Sequence, residues 1–212
     1  MQPVGLGFSA MQFRLLSLIN PLILLTLGVM IGCLLAPRLG LDAPLIRALL
    51  ARQSPWQALK PQLLPALLAG AAVAAMLLGY ARLSADWMTG APAFDMPLLP
   101  KLLYGGITEE LLTRWGLMSL FAWVAWRLTG AKRPASRAVL AVGTVLAALL
   151  FAAGHLPVLY MLLPDPSPQL IAGVLIGNAM PGLLFGWLFA VRGLEAAMLA
   201  HAFAHLFSTV MG

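Results

Sequence analysis

The sequence predicts an all-α membrane protein, a polytopic helical bundle of about six transmembrane spans in which the fifth helix is broken. Of its 212 residues, 61% are hydrophobic and only 9% are charged, whereas about 25% of the residues in a typical soluble domain are charged. The mean hydropathy is +0.93. Apolar runs of roughly 20 residues, the length of helix that crosses a bilayer, recur along the chain.

The apolar runs give the order of the spans. We expect them at 15–36, 62–81, 99–126, 138–160, 169–191 and 194–211. The stretch LIRALLARQSPWQAL at 45–59 is expected to form a short helix on the membrane surface, and PDPSP at 164–168 cannot lie inside a helix. Pro181, within GNAMPG at 177–182, removes one backbone hydrogen bond and therefore predicts a kink or break in the fifth span.

Charge predicts the orientation of the bundle. The formal net charge of +6 comes from 13 Lys and Arg against 7 Asp and Glu. Most of the basic residues lie in two connections and at the end of the fifth span: Arg38, Arg47, Arg52, Lys60, Arg127, Lys132, Arg133, Arg137 and Arg192. The positive-inside rule assigns that side to the cytoplasm, with Asp86, Asp95 and Asp165 on the other side. This clustering indicates orientation in a lipid bilayer and no nucleic-acid partner; we expect the bacterial inner (plasma) membrane.

Six charged or histidine side chains lie deep within the predicted spans, away from their ends. They are Glu109, Glu110 and Arg114 in the third span, His155 in the fourth, and His201 and His205 in the sixth. An ionisable group at the centre of a membrane costs about 2.5–3.5 kcal/mol on insertion scales, and it marks a functional site by default. Their number on three spans therefore predicts a functional site inside the membrane.

The spacing of these residues suggests a division of roles. Glu110 and Arg114 are four residues apart, so they share a helix face and can pair. Glu109 is rotated by about 100° from Glu110 and is free for chemistry, while His201 and His205 share a face of their own. We expect Glu109 and the three histidines to converge on one polar pocket. Two alternatives stay open: the acid–arginine pair can be purely structural, and a single histidine is often only an interhelical hydrogen bond.

Three motifs carry a resemblance to a known family. EELLTR at 109–114, FAAGH at 151–155 and HAFAH at 201–205 resemble the motifs of the CAAX-protease and bacteriocin-processing (CPBP, or ABI) family of intramembrane proteases. The flanking sequence at 182–205 is also similar to that family. The resemblance covers residues 97–212, which we expect to form the catalytic helical core; residues 1–96 are expected to be an N-terminal transmembrane region without a motif.

The resemblance implies an intramembrane endopeptidase that cleaves a membrane-associated peptide or protein tail. Some relatives cleave prenylated CAAX tails, but nothing in this chain names its substrate. At the positions that match the motifs, the implied roles are these: Glu109 and His155 activate the attacking water, His201 and His205 stabilise the oxyanion, and Glu110 and Arg114 support them.

Position 205 departs from the family pattern, because many members have Asn where this chain has His205. A neutral imidazole can still donate a hydrogen bond to an oxyanion. The four residues Glu109, His155, His201 and His205 could also ligate zinc, although the HExxH helix of many zinc proteases is absent. We expect direct activation of water, commit to no cofactor, and keep a zinc-dependent metalloprotease as the alternative.

A function without catalysis is the second alternative. The same fold could serve an immunity or scaffold protein, or a proton-coupled transporter. The complete set of motifs argues against a degenerate scaffold, and a transporter would usually show internal repeats, which this sequence lacks.

Overall fold

The computed structural model describes residues 9–87, 89–90, 96–131 and 134–211. Within these ranges all regular structure is helical and no strand is present. The predicted all-α fold class is therefore confirmed. Asp95, Lys132 and Arg133, which the charge pattern assigned to connections, lie outside the described residues.

The described residues form nine helices, numbered here in chain order, with α5 treated as one helix. They are α1 (Ala10–Ser17), α2 (Ile19–Leu39), α3 (Pro44–Leu50), α4 (Pro55–Leu83), α5 (98–128), α6 (Arg137–Ala153), α7 (Leu156–Leu162), α8 (Pro168–Arg192) and α9 (Leu194–Met211). Helix α5 consists of four consecutive segments: Leu98–Pro100, Lys101–Glu109, Leu111–Met118 and Ser119–Leu128.

Five helical stretches are long and apolar enough to cross a membrane. They are α2, α4, α6 together with α7 (Arg137–Leu162), α8 and α9. Helix α5 packs against α2, α6, α8 and α9, and it carries the charged residues of the third predicted span. With α5 among them, these helices correspond to the predicted bundle of about six spans.

N-cap serines, two of them followed by proline, mark where three of these helices begin. Ser54, Ser136 and Ser167 each precede a helix and accept a hydrogen bond from the backbone N–H three residues later, at 3.2 to 3.4 Å. Such a cap satisfies one of the unpaired N–H groups of the first turn. Pro55 and Pro168 follow two of these caps, where the missing N–H costs nothing.

Helix α5 differs from the others because its segments Lys101–Glu109 and Leu111–Met118 are π-helical. In a π-helix each N–H bonds to the carbonyl five residues earlier, so the turn is wider than in an α-helix. This geometry is rare and occurs frequently at functional sites. Glu110 joins the two π-helical segments, so the unusual geometry surrounds the first motif.

Helix α8 runs continuously from Pro168 to Arg192 with Pro181 inside it, so the predicted break is not present, and a kink at Pro181 stays a prediction. Proline removes one N–H, yet neighbouring helices can satisfy the freed backbone and hold such a helix together. Gly182 packs closely against Ala148 of α6. Its carbonyl also accepts a hydrogen bond of 3.0 Å from Nη2 of Arg114. The chain on the C-terminal side of Pro181 is thus held by two other helices.

Two close approaches join the motif-bearing helices to the N-terminal half of the chain. A Cβ added at Gly116 of α5 would lie 2.8 Å from the Cα of Gly28 in α2. A Cβ added at Gly70 of α4 would lie 2.5 Å from the Cβ of Phe203 in α9. Small residues at such crossings let transmembrane helices pack closely. Helices α2 and α4 therefore support the helices that carry EELLTR and HAFAH.

Candidate active site

A buried carboxylate, Glu110, lies at the centre of the polar cluster. Its side chain is 0% exposed, and Oε1 lies 3.1 Å from Nη1 of Arg114. The same oxygen lies 2.8 Å from Nδ1 of His201. Oε2 has no hydrogen-bond partner among the described residues. The pairing of Glu110 with Arg114 agrees with their spacing of four residues, and the link to His201 joins α5 to α9.

The ring of His201 is held in one orientation. An ionised carboxylate only accepts hydrogen bonds, so the contact with Glu110 places a proton on Nδ1 of His201. The ring stacks between Phe185, with centroids 4.7 Å apart, and His205, with centroids 4.9 Å apart. Nε2 is therefore directed towards Glu109, whose Oε2 lies 3.9 Å away.

Glu109 is the more accessible of the two adjacent acids. Its side chain is 20% exposed, whereas that of Glu110 is fully buried. No direct hydrogen bond ties the Glu109 carboxylate to another described residue; its ion-pair distance to His201 is too long for one. A carboxylate that lies near a histidine and does not already accept a hydrogen bond from the protein is suited to accept a proton from water.

Arg114 connects three helices around this cluster. Its guanidinium bonds to Glu110 on α5 and to the carbonyl of Gly182 on α8. It also lies over the rings of Phe151 on α6 and Phe185 on α8, each 5.5 Å from the ring centroid. Cation–π contacts of a desolvated arginine are worth about 2 kcal/mol or more. The aromatic residue of the FAAGH motif thus contacts the arginine of EELLTR.

His155 occupies the junction where α6 ends at Ala153 and α7 begins at Leu156. Its Nδ1 bonds to the carbonyl of Phe151 at 2.9 Å. Because a carbonyl only accepts, the proton is on Nδ1, and Nε2 of the neutral ring carries a lone pair. His155 lies within electrostatic reach of Glu109, but it forms no hydrogen bond or ion pair with the other site residues in the described part of the chain.

His205 lies one turn beyond His201 on the same helix, as their spacing predicts. Gly105 of α5 faces both rings. A Cβ added there would lie 2.7 Å from Nε2 of His205 and 3.1 Å from Nε2 of His201. The lack of a side chain at Gly105 is therefore what admits the two imidazole nitrogens to this face of α5.

Two residues of the site were missed by sequence reasoning. Gly105 stands four residues before Glu109, in the GGITEE stretch, and its position one turn before the acid was the only available signal. Phe185, which stacks on His201 and on Arg114, is one apolar residue among many in α8. Nothing in an apolar sequence distinguishes a phenylalanine that contacts the site from one that faces lipid.

The alternative of a zinc site is not supported by the arrangement of its four residues. Across the described ranges, no group of three or more His, Cys, Asp and Glu side chains is placed to hold a metal ion. His201 and His205 stack on each other at an interplanar angle of 28°, and in the described part of the chain His155 forms no hydrogen bond or ion pair with either of them. The site therefore does not fit a three-histidine zinc centre, and we derive no step through a metal.

A comparison with protein-family models found a match. The model of a family described as type II CAAX prenyl endopeptidase Rce1-like matches residues 92–207, more than half of the chain. The matched range contains all six ionisable residues of the candidate site. A search of curated proteins and a search of solved structures found no match.

Proposed function

This chain belongs to the Rce1-like family of type II CAAX prenyl endopeptidases, and we propose that it hydrolyses a peptide bond with a water molecule activated by Glu109 and His155. Family membership makes it a CAAX-type intramembrane endopeptidase in general terms. It is an integral membrane protein with a peptide or protein substrate. The catalytic residues, the tail that is cut and a bacterial inner membrane as its location belong to the proposal.

The observation that supports Glu109 as the base is the contrast with Glu110. Both acids lie on α5, but Glu110 is fully buried and already accepts from Arg114 and His201. Glu109 is partly exposed and has no such hydrogen bond. In the proposed step, Glu109 takes a proton from water as the water oxygen bonds to the substrate carbonyl carbon. The proton then passes to the amide nitrogen as the carbon–nitrogen bond breaks.

The position of His155 supports a second role in that step. The bond from its Nδ1 to Phe151 leaves Nε2 as the acceptor of the neutral ring. It is also within electrostatic reach of Glu109. We place His155 on the opposite side of the water from Glu109, where Nε2 accepts the second hydrogen of the water and orients its lone pair.

His201 is proposed as the main donor to the oxyanion. Its Nδ1 already donates to Glu110, so the ring donates from Nε2 only when both nitrogens are protonated. Donors aimed at a developing oxyanion in a water-poor site are often the largest catalytic term.

His205 is the proposed second donor. It stands where many family members have asparagine, and it stacks on His201 beside Gly105. A neutral imidazole provides one N–H donor, and the amide of an asparagine side chain provides two. The substitution therefore preserves the donor that the oxyanion requires.

Cleavage of a membrane-anchored peptide tests the proposal. The full chain is reconstituted in phospholipid vesicles with lipid-anchored peptides that end in a CAAX-type tail, and the products are identified by mass spectrometry. We expect one new carboxyl terminus near the tail, formed by the wild type and not by Glu109→Gln. If the Glu109→Gln protein formed the same product at the same rate, the assignment of the base would be wrong.

The alternative functions are not favoured by the comparison. The family match names an endopeptidase, and the motif residues form one connected cluster instead of a degenerate set. No feature of the described residues specifically supports an immunity protein, a scaffold or a proton-coupled transporter.

A further inference from the structure

A second polar site lies outside the candidate active site. A cavity of about 680 Å³ lies between α3, the first turns of α4 and the end of α8. Its lining includes Arg47 and Arg192 together with the polar side chains of Gln53, Gln57 and Gln62. The described residues that line it include no acidic side chain and none of the six ionisable residues of the active site. The cavity is therefore cationic and separate from the chemistry.

The two arginines differ in their availability. Arg47 already pairs with Asp42, which does not line the cavity, at 2.6 Å. Arg192 is exposed and forms no ion pair with any described residue. A guanidinium binds phosphate oxygens through two parallel hydrogen bonds. Of the two, Arg192 is thus the guanidinium more available to an anion, whereas Arg47 is already paired with Asp42.

Gln62 specifies a second property of the ligand. It is only 2% exposed, and its Nε2 donates to the carbonyl of Ala58 at 3.0 Å. That bond fixes the orientation of the amide and leaves Oε1 buried without a partner. An unpartnered buried acceptor costs about 1–3 kcal/mol, and an anion cannot satisfy it. Because Gln62 also lines the cavity, a ligand that reaches this oxygen and satisfies it needs a hydroxyl donor as well as an anionic group.

The surroundings of the cavity indicate a lipid. Next to the lining residues along the chain, Leu49, Leu50 and Trp56 are 56%, 82% and 59% exposed. Leucine side chains at such a position suit acyl chains, and tryptophan favours the interface between membrane and water. This end of the bundle also carries most of the basic residues, which the positive-inside rule assigns to the leaflet rich in anionic lipid.

We propose that this cavity, between α3, α4 and the end of α8, binds the headgroup of an anionic phospholipid that bears a hydroxyl, such as phosphatidylglycerol. The phosphate lies against Arg192 and Arg47. A headgroup hydroxyl donates to Oε1 of Gln62, and the acyl chains lie along the exposed leucines of α3. The site is independent of the proposed peptidase mechanism, because it shares no residue with it.

Lipid binding by the full chain tests this site. The protein is purified in a neutral detergent and titrated with short-chain phosphatidylglycerol, phosphatidic acid or phosphatidylcholine, and bound lipid is counted by native mass spectrometry. The variants are Arg192→Gln, Gln62→Leu and the control Arg137→Gln. Arg137 begins α6 in the other basic connection and does not line the cavity. The control therefore removes the same charge elsewhere.

We expect phosphatidylglycerol to bind more tightly than phosphatidylcholine, and Arg192→Gln to weaken its binding about fivefold, the effect of one basic residue near an anionic membrane surface. Arg137→Gln should leave binding unchanged. Gln62→Leu should weaken phosphatidylglycerol but not phosphatidic acid, which lacks the headgroup alcohol.

Three results would overturn the proposal. Equal losses in Arg192→Gln and Arg137→Gln would mean general attraction to charge. Equal binding of phosphatidylcholine would exclude selection for an anion. Displacement of the lipid by an equal concentration of glycerol phosphate would identify a soluble phosphate ester as the ligand. Since Arg192 is exposed, its substitution decides the question even if Gln62→Leu fails to fold.

Discussion

Oε1 of Glu110 lies 2.8 Å from Nδ1 of His201, a contact that joins residues 91 positions apart in the chain. The same oxygen lies 3.1 Å from Nη1 of Arg114. One buried carboxylate thus binds the arginine of the first motif and orients the histidine of the third. The bundle is held together at the point where the proposed chemistry takes place.

Glu110→Gln is expected to destabilise the protein. Removal of one partner from a buried ion pair costs about 3–5 kcal/mol, because the other charge stays buried without compensation. Chemical denaturation of the protein in detergent should therefore show a clear fall in the free energy of unfolding. Asp165→Asn, which neutralises an exposed acid in a connection, is the matched control. Equal stabilities of the two variants would contradict the structural role of Glu110.

Gly105→Ala is expected to displace the paired imidazoles. The new methyl group would lie 2.7 Å from Nε2 of His205, and overpacking of this kind costs about 1–3 kcal/mol. Peptidase activity should fall with stability. Gly79→Ala is the control, since a Cβ at Gly79 of α4 meets no atom within 4 Å. Alanine there should stabilise the helix by about 0.5–1 kcal/mol, so opposite shifts of the unfolding midpoint are predicted.

Comparison of His205→Asn with His205→Ala should show whether His205 acts as a hydrogen-bond donor or only packs against His201. Asparagine retains an N–H donor, so we expect activity within about tenfold of the wild type. Loss of one oxyanion donor costs about 10²–10³ in kcat, which is the fall expected for alanine. The comparison requires kcat and KM measured separately in vesicles. Similar rates for the two variants would assign His205 to packing against His201 alone.

Local spacing predicted part of this site. The four-residue steps from Glu110 to Arg114 and from His201 to His205 follow from helix geometry alone, and the structure contains both contacts. The bond between Glu110 and His201 could not be derived in this way, because it depends on how α5 crosses α9. The sequence analysis expected the histidines to converge with Glu109, but it did not predict that His201 bonds to Glu110.

Features that depend on tertiary packing also could not be predicted from the sequence. The π-helical turns of α5 have no local signal in an apolar stretch that reads as an ordinary helix. Pro181 gave a strong local signal for a break, yet α8 is continuous, and the next residue, Gly182, contacts α5 and α6. The division of the chain at residue 96 stays a prediction about where the motifs begin. Helices α2 and α4 pack directly on the motif-bearing helices.

Glu195→Ala should loosen the junction between α3 and α9. Oε1 of Glu195 accepts a hydrogen bond of 3.0 Å from the backbone N–H of Ile46, and the side chain is buried. Loss of that acceptor leaves a partly buried N–H unpaired, which costs about 1–3 kcal/mol. The backbone amide of Ile46 should exchange hydrogen faster in Glu195→Ala than in the wild type. The unfolding midpoint of the variant should also be lower. Asp86→Ala, at an exposed acid after α4, should change neither quantity.

The most direct test of the central claim is the cleavage rate of metal-depleted protein, with metal content measured on the same samples, for wild type and Glu109→Gln. Proton transfer by a positioned side chain contributes about 10²–10⁴-fold. We therefore predict that the metal-free wild type retains full activity, and that Glu109→Gln loses at least about a hundredfold while it keeps its unfolding midpoint. Stoichiometric zinc whose removal abolishes cleavage, and whose return restores it, would contradict direct activation of water by Glu109 and His155.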